Sequence, residues 1–426
     1  VSESQVSRSS SPTGRPPSRL LLALGVTANL VLLGWYKYSG FLDHTIEAWF
    51  GVDPGLPYVM LPLGISFFTF QQVAYLVDAH RGEAGEYNFT DYLLFVTFFP
   101  QLIAGPIVHH KEMMPQFMRQ TWRHHRWVNF STGATILLIG FFKKVVIADN
   151  VSRIATSIFT AAAVADRPLT IGEAWTGALA YSVQIYFDFS GYSDMAVGGA
   201  RLFGIRLPLN FHSPYKAASI TEFWRRWHIT LSRFLRDYLY IPLGGNRRGK
   251  PRRYANLMVT MLLGGLWHGA GWTFVMWGGL HGVFLCANHG WLFLRKRHGL
   301  PPLPRPLAVL ATFLAVTVAW VFFRAGSFEA AGRMLHAMAG LDGFTGWPNK
   351  AARVVASADP LKIIPVVIAC WLLPNTQQIF RRYRPALLVP HSVDLPRFPN
   401  RRWQWRPTIP FALALTALLL VIGMQF

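Results

Sequence analysis

The chain has 426 residues, 52% of them hydrophobic and only 14% charged, with 16 Trp and 32 Phe. A soluble domain carries about a quarter charged residues, so the deficit points to lipid as the surrounding solvent. The net charge of +21 would suggest nucleic acid in a soluble protein, but here the basic residues cluster between apolar runs, at 119–126, 143–144, 247–253, 295–297 and 381–384. That pattern fits short cytoplasmic loops facing anionic headgroups, and it argues against a nucleic-acid partner.

Residues 1–19 are polar and rich in Ser, Pro and Arg, and they read as a disordered leader. No small-residue cleavage site follows a short apolar core, so a secretory signal is not indicated. The first residue is Val, and an upstream portion is expected. Residues 20–426 read as a single multipass membrane domain. Apolar runs at 20–38, 58–77, 92–108, 132–147, 175–189, twice around 261–280, and at 307–323, 363–373 and 409–426 suggest roughly eight to ten spans. Pro62 and Gly64 interrupt residues 57–70, and Pro100, Gly105 and Pro106 interrupt residues 98–108. Broken or re-entrant helices are expected there, since irregular backbone at membrane depth must be shielded by protein or water. The loop 78–91 holds Glu83 and Glu86 against Arg81 and is expected outside.

Residues 181–200 place Asp188 and Asp194 inside weakly polar, Gly-punctuated sequence. Intramembrane acids are costly enough to count as site candidates, although both could simply accept structural hydrogen bonds. Neither lies at a recognised spacing to His or Cys, so no metal site is expected. Cys286 and Cys370 each lie in an apolar run and offer no disulfide framework.

Residues 219–240 predict one amphipathic helix along the cytoplasmic interface. Ser219 and Glu222 have capping-box spacing, and Pro242 with Gly244 and Gly245 would end the helix. At 100° per residue Trp224, Trp227, His228, Leu231, Phe234, Leu235 and Tyr238 share an apolar stripe. Glu222, Arg225, Arg226, Arg233, Arg236 and Asp237 take the opposite side, with Glu222–Arg226 and Arg233–Asp237 as i,i+4 pairs. His228 on the apolar side is either a satisfied core histidine or a functional group. The arginines suit lipid headgroups or an anionic cofactor.

No Asp, Glu, Lys or Arg occurs between Arg253 and Arg295, so His268 is the first ionisable side chain of a long apolar segment. It falls beside the Gly269, Ala270, Gly271 break where one crossing would end. The bland alternative is a single structural hydrogen bond between helices; a polar group at this depth otherwise faces a cavity or bundle interior. A neutral imidazole there could take the proton of a hydroxyl attacking an activated acyl group, with His228 as a second donor to the oxyanion. Gly265 and Gly269 at GxxxG spacing, followed by Gly278, Gly279 and Gly282, allow close helix approach or a tunnel for a thin substrate. His281 and His289 read as structural or interfacial. No G-x-S-x-G elbow lies in the spans, so a serine acyl-enzyme is not indicated. Residues 325–360 read as a mixed-charge external loop and 374–406 as a basic connection to the last span.

The stretches FFPQLIAGPIV, QIYFDFSGYSDMAVGGARLFGIRLPLNFHSPY, ITEFWRRWHITLSRFLRDYLYIPLGGNRRG and LWHGAGWTFVMWGGLHG closely resemble the membrane-bound O-acyltransferase family. Within it they look like the bacterial branch that O-acetylates alginate, and LPNTQQIFRRYRP strengthens that likeness. The resemblance implies an all-α polytopic bundle with re-entrant and interfacial helices. It implies His268 of the WHG motif as the catalytic residue and His228 as the second polar position. It further implies acyl transfer from a cytoplasmic thioester, acetyl-CoA in the acetylating branch, with no permanently bound cofactor. Trp224, Arg225, Arg226 and Asn210 are candidate donor contacts. A periplasmic acetyltransferase or esterase-like partner would place the acetyl group on an exported polysaccharide, from a bacterial inner membrane. The alternatives are a D-alanyl or other acyl group from a carrier protein, or a non-catalytic transporter. The departure is at the start, where relatives usually have further spans before the one at 20–38.

Overall fold

The computed structural model describes residues 18–57, 59–84, 88–102, 105–118, 126–164, 168–341, 360–387 and 404–425. The leader up to residue 17, Glu86, the basic cluster at 119–125, and the loop portions 342–359 and 388–403 lie outside the described residues. In chain order the helices are α1 (Arg19–Phe50), α2 (Ile65–His80), α3 (Phe89–Thr97), α4 (Phe99–Leu102), α5 (His110–Met118), α6 (Arg126–Phe142), α7 (Asp149–Val164), α8 (Ile171–Leu202) and α9 (Ile220–Trp224). They continue as α10 (Ile229–Leu235), α11 (Gly249–His268), α12 (Trp272–His298), α13 (Arg305–Arg324), α14 (Phe328–Met338), α15 (Pro360–Leu372), α16 (Thr376–Ile379) and α17 (Ile409–Gly423). Among the described residues the only β pairing is an isolated parallel bridge between Pro208 and Leu387.

Among the described residues, three helical stretches are long and apolar enough to cross a bilayer: Arg19–Phe50, Arg126–Val164 and Arg305–Arg324. Helices α8, α11 and α12, with 32, 20 and 27 residues, have the length at 1.5 Å per residue but are more polar. In α8 that polarity is largely buried, whereas in α11 and α12 it includes exposed basic ends.

Two compact units divide the chain. In the first, residues up to 98 with 109–115, α1 packs on α2, and Gly25 lets the Leu76 side chain approach α1 closely. Expected to be broken, residues 57–70 are helical only from Ile65, whose amide bonds the Pro62 carbonyl at 3.3 Å. Proline and glycine thus sit before the helix rather than inside it, where they cost least. Gln72 accepts from the Tyr92 hydroxyl at 2.5 Å and Gln71 donates to the Phe95 carbonyl at 3.2 Å, tying α2 to α3. Lys111 bonds Glu83, and that ammonium holds the Glu83 carboxyl below its ordinary range.

The second unit is centred on α6 and α8. Glycines seven residues apart on each helix meet in antiparallel register, Gly140 against Gly191 and Gly133 against Gly198. A Cβ at Gly140 would lie 2.5 Å from the Gly191 carbonyl oxygen, and one at Gly198 2.6 Å from that of Gly133. Only glycine allows this approach, and in lipid such close packing is the main attraction available. A capping box between Thr170 and Glu173 starts α8.

Between α6 and α7 the helix widens into a π-helical turn, Lys143–Ala148, without interrupting the run from 126 to 164. This corrects the reading of Lys143 and Lys144 as a basic loop. Their ammonium groups are matched by the acids of α8: Lys143 Nζ lies 2.6 Å from Asp194, and Lys144 Nζ lies 2.6 Å from Asp188. The Lys143–Asp194 pair, inside the bundle, removes the penalty that a lone lysine would carry there, while Lys144 and Asp188 stay partly solvated.

Candidate active site

The segment 219–240 does not form the single interfacial helix that its pattern predicts. Ser219 does cap α9, accepting from the Glu222 amide at 3.1 Å, while Glu222 reaches the Ala218 amide at 2.7 Å. The helix then stops at Trp224, and His228 adopts a left-handed conformation, φ 42° and ψ 53°, before α10 begins. Residues 210–212 take over the freed backbone groups: the His212 amide donates to the Arg226 carbonyl at 2.9 Å, and the Ile229 amide donates to the Asn210 carbonyl at 3.0 Å. A non-glycine residue in the left-handed region is strained, and such strain concentrates at functional sites.

The break also overturns the expected placement of the arginines. Arg226 and Arg233 are buried, and only Arg225 of the three is exposed. Arg226 is held by Glu222, at 2.7 Å from Nη2, and by the His212 carbonyl, at 3.1 Å from Nη1. The expected Glu222–Arg226 pair is therefore present but internal, where it fixes the broken helix to the segment 210–212. Asp237 pairs with the adjacent Arg236 at 2.7 Å.

His228 is 1% exposed. The Ile107 amide donates to Thr230 Oγ1 at 3.0 Å, that hydroxyl donates to Asn210 Oδ1 at 2.9 Å, and His228 Nδ1 lies 3.1 Å from the same oxygen. The Thr230 amide also points at Oδ1, at 3.4 Å, which fixes this atom as the acceptor. Nδ1 therefore carries the proton, and in the neutral ring Nε2 presents a lone pair. An oxyanion donor at Nε2 would require the charged imidazolium. Phe189 lies edge-on to the ring at 4.7 Å between centroids.

His268 ends α11, and the chain turns through Gly269–Gly271 into α12. The α11–α12 hairpin is drawn tight by Gly265 and Gly278: a Cβ on Gly278 would meet the Met261 carbonyl oxygen at 2.2 Å, and one on Gly265 the Phe274 carbonyl oxygen at 2.3 Å. Helix packing, not an opening, accounts for these glycines. Trp277, Phe323 and Trp267 surround His268 at centroid distances of 5.1, 5.3 and 4.9 Å. The His268 and His228 rings are 6.3 Å apart. Only His268 of the central histidines keeps accessible surface, since His228 and His281 are buried.

His281, read from sequence as structural or interfacial, is fully buried. It stacks on Phe223 at 5.9 Å and 12°, with Trp277 at 4.8 Å and Trp224 at 5.1 Å, and neither ring nitrogen has a hydrogen-bond partner among the described residues. Leaving a buried polar group unpaired is costly, whereas an apolar ring of similar shape carries no such cost. His281→Phe is thus expected to melt at or above the wild-type temperature in detergent. A loss above about 2 kcal/mol would mean the ring nitrogens are bonded after all.

Of the candidate donor contacts, Asn210 is committed to His228 and Arg226 to Glu222. Trp224 packs half-buried against Trp277 and His281, and Arg225 lies at the surface. Asp188 and Asp194 are brought to Lys144 and Lys143 rather than to the histidines. Sequence reasoning missed Thr230, Phe189 and the two lysines as partners. The lysines were signalled by two positive charges in one apolar run and two negative charges in another. Cys286 and Cys370 are free thiols, and no cluster of three metal-ligating side chains occurs among the described residues.

Residues 21–325 match the membrane-bound O-acyltransferase family. The chain belongs to that family. It is therefore a membrane protein, in keeping with its apolar helices. Among curated relatives it is 47% identical to the peptidoglycan O-acetyltransferase of Helicobacter pylori over 76% of this chain and 66% of that one. It is 46% identical to the probable alginate O-acetylase AlgI of Pseudomonas putida over 76% of this chain and 65% of that one. More distant is the teichoic acid D-alanyltransferase of Streptococcus thermophilus, 29% identical over 61% of this chain and 68% of that one. The chain thus spans just under two thirds of the length of the first two relatives.

Proposed function

We propose that this protein is an O-acyltransferase of the bacterial inner membrane that takes an acetyl group from acetyl-CoA on the cytoplasmic side and passes it toward an exported polysaccharide. The observation that carries this reading is the pairing of His268, partly accessible at the apex of a rigid helical hairpin, with a buried His228 whose tautomer is fixed by Asn210. Rings 6.3 Å apart let both histidines face one bound substrate.

In the proposed reaction His268 removes the proton of an attacking hydroxyl as its oxygen bonds the thioester carbonyl carbon. Collapse of the tetrahedral intermediate breaks the carbon–sulfur bond, and the departing thiolate recovers that proton from His268. The products are an ester and a free thiol. His228, an acceptor at Nε2 with its Nδ1–H held by Asn210, orients the substrate through a donor other than that hydroxyl, whose single proton goes to His268. The similarity to proteins named for O-acetylation of peptidoglycan and alginate supports acetyl as the group moved and a cell-envelope glycan as acceptor. A periplasmic esterase-like partner would complete delivery to the polymer.

Membrane vesicles containing the full protein, supplied with radiolabelled acetyl-CoA or with a D-alanyl carrier protein, separate the donors. Protein-dependent label from acetyl-CoA is expected in the acid-insoluble glycan or in the partner. Label from the D-alanyl carrier alone would replace this reading by aminoacyl transfer, and no label from either would leave a transporter.

A further inference from the structure

The basic end of the α11–α12 hairpin carries a second site, remote from His268. Arg247, Arg248, Lys250, Arg252 and Arg253 lie at the start of α11, Arg295–Arg297 close α12, and Arg305 opens α13; no Asp or Glu occurs between Asp237 and Glu329. Lys250 over the Phe293 ring, at 4.9 Å, shows that the two basic clusters share one end of the hairpin. Beside them a cavity of about 560 Å³ opens between α12, α13 and the start of α9. Its mouth holds Arg295 and Arg305, and neither guanidinium has an ion-pair or hydrogen-bond partner among the described residues.

The cavity changes character inward. Phe284, Ala287 and Leu292 of α12 face Ala308, Ala311 and Ala315 of α13. Spacings of three and four put these alanines on one face of α13, where their small side chains leave a trough between the helices. Trp291 and Leu303, also lining the cavity, are 46% and 48% exposed, as suits residues that meet lipid. The amide end of α13 has no side-chain cap and no acidic residue in its first turn, so its partial positive charge adds to that of the arginines.

We infer that this cavity binds one anionic phospholipid, its phosphate between Arg295 and Arg305 and one acyl chain in the alanine trough. An isolated phosphate would use the arginines and leave the apolar wall unused. A zwitterionic lipid would use the wall but gain little from two unopposed guanidinium groups. Charge complementarity at the mouth and an apolar interior together select the anionic lipid.

Native mass spectrometry of the full, delipidated protein titrated with phosphatidylglycerol, phosphatidylcholine or coenzyme A tests this. One phosphatidylglycerol is expected to bind more tightly than phosphatidylcholine. At about 1 kcal/mol per arginine, Arg295→Ala with Arg305→Ala should weaken that adduct roughly 30-fold and leave phosphatidylcholine unchanged. Ala311→Trp, which fills the trough while keeping both arginines, should lower both lipids. Undiminished phosphatidylglycerol binding in the double variant, or in a monodisperse Ala311→Trp protein, would overturn the inference. Displacement of the bound lipid by coenzyme A at equal concentration would also overturn it, in favour of a nucleotide-phosphate site.

Discussion

His268→Gln should abolish acetyl transfer and leave the fold standing. Residue 268 is the last of α11, is partly accessible, and sits beyond the tightly packed Gly265–Gly278 crossing, so a polar side chain of similar reach costs little stability there. Glutamine retains hydrogen bonding but cannot take up a proton near neutral pH. Removing a general base typically costs about 10²–10⁴-fold, and that loss is expected in label transferred from acetyl-CoA. Asn210→Ala should have a smaller effect through His228, because it frees Nδ1 and lets the ring choose the other tautomer. Full transfer by a well-expressed His268→Gln protein would remove the imidazole from the chemistry and with it the proposed mechanism.

The largest stability effect is expected at Lys143. Asp194 is 7% exposed, and its Oδ2 accepts from Lys143 Nζ and from the Thr376 hydroxyl, each at 2.6 Å. Lys143→Met strands a buried carboxylate, and breaking a buried pair on one side costs about 3–5 kcal/mol. Replacing both partners, Lys143→Met with Asp194→Leu, should recover most of that loss, since apolar residues of similar volume often substitute for a buried pair. Lys144→Met is the control: Lys144 and Asp188 are 38% and 46% exposed at the side chain, and solvent limits such a pair to about 1 kcal/mol or less. Thermal melting in detergent would rank the three. A Lys143→Met protein that melts with the wild type would show that this pair does not hold the π-helical turn, α8 and α16 together.

How far the sequence reached differs from element to element. The break at Gly269–Gly271 was legible because glycine and an apolar run of fixed length mark a helix end with little help from the rest of the chain. The Ser219 cap was equally legible, being a local hydrogen bond over three residues. The continuation of 219–240 as one helix was not. Its periodicity was sound, but the break at His228 is stabilised by amides and carbonyls of residues 210–212, which no local pattern could bring to bear.

The same distinction governs the charges. Periodicity assigned Arg226 to a solvated face because it treats every charge as seeking water, whereas Glu222 and the His212 carbonyl satisfy it inside. Lys143 and Lys144 were read as loop residues for the same reason, and Asp188 and Asp194 as possible chemistry. A partner 51 or 44 residues away turns each of them into structure.

By itself the sequence determined a lipid-embedded helical protein, the ends of its strongest helices, and through quoted motifs the family to which it belongs. Those features depend on composition and on hydrogen bonds within a few residues. Only the tertiary structure decided that His228 is buried with one tautomer while His268 stays accessible, and that the α8 acids neutralise lysines. Burial and pairing depend on what lies across a helix–helix interface, and that is settled when distant segments pack.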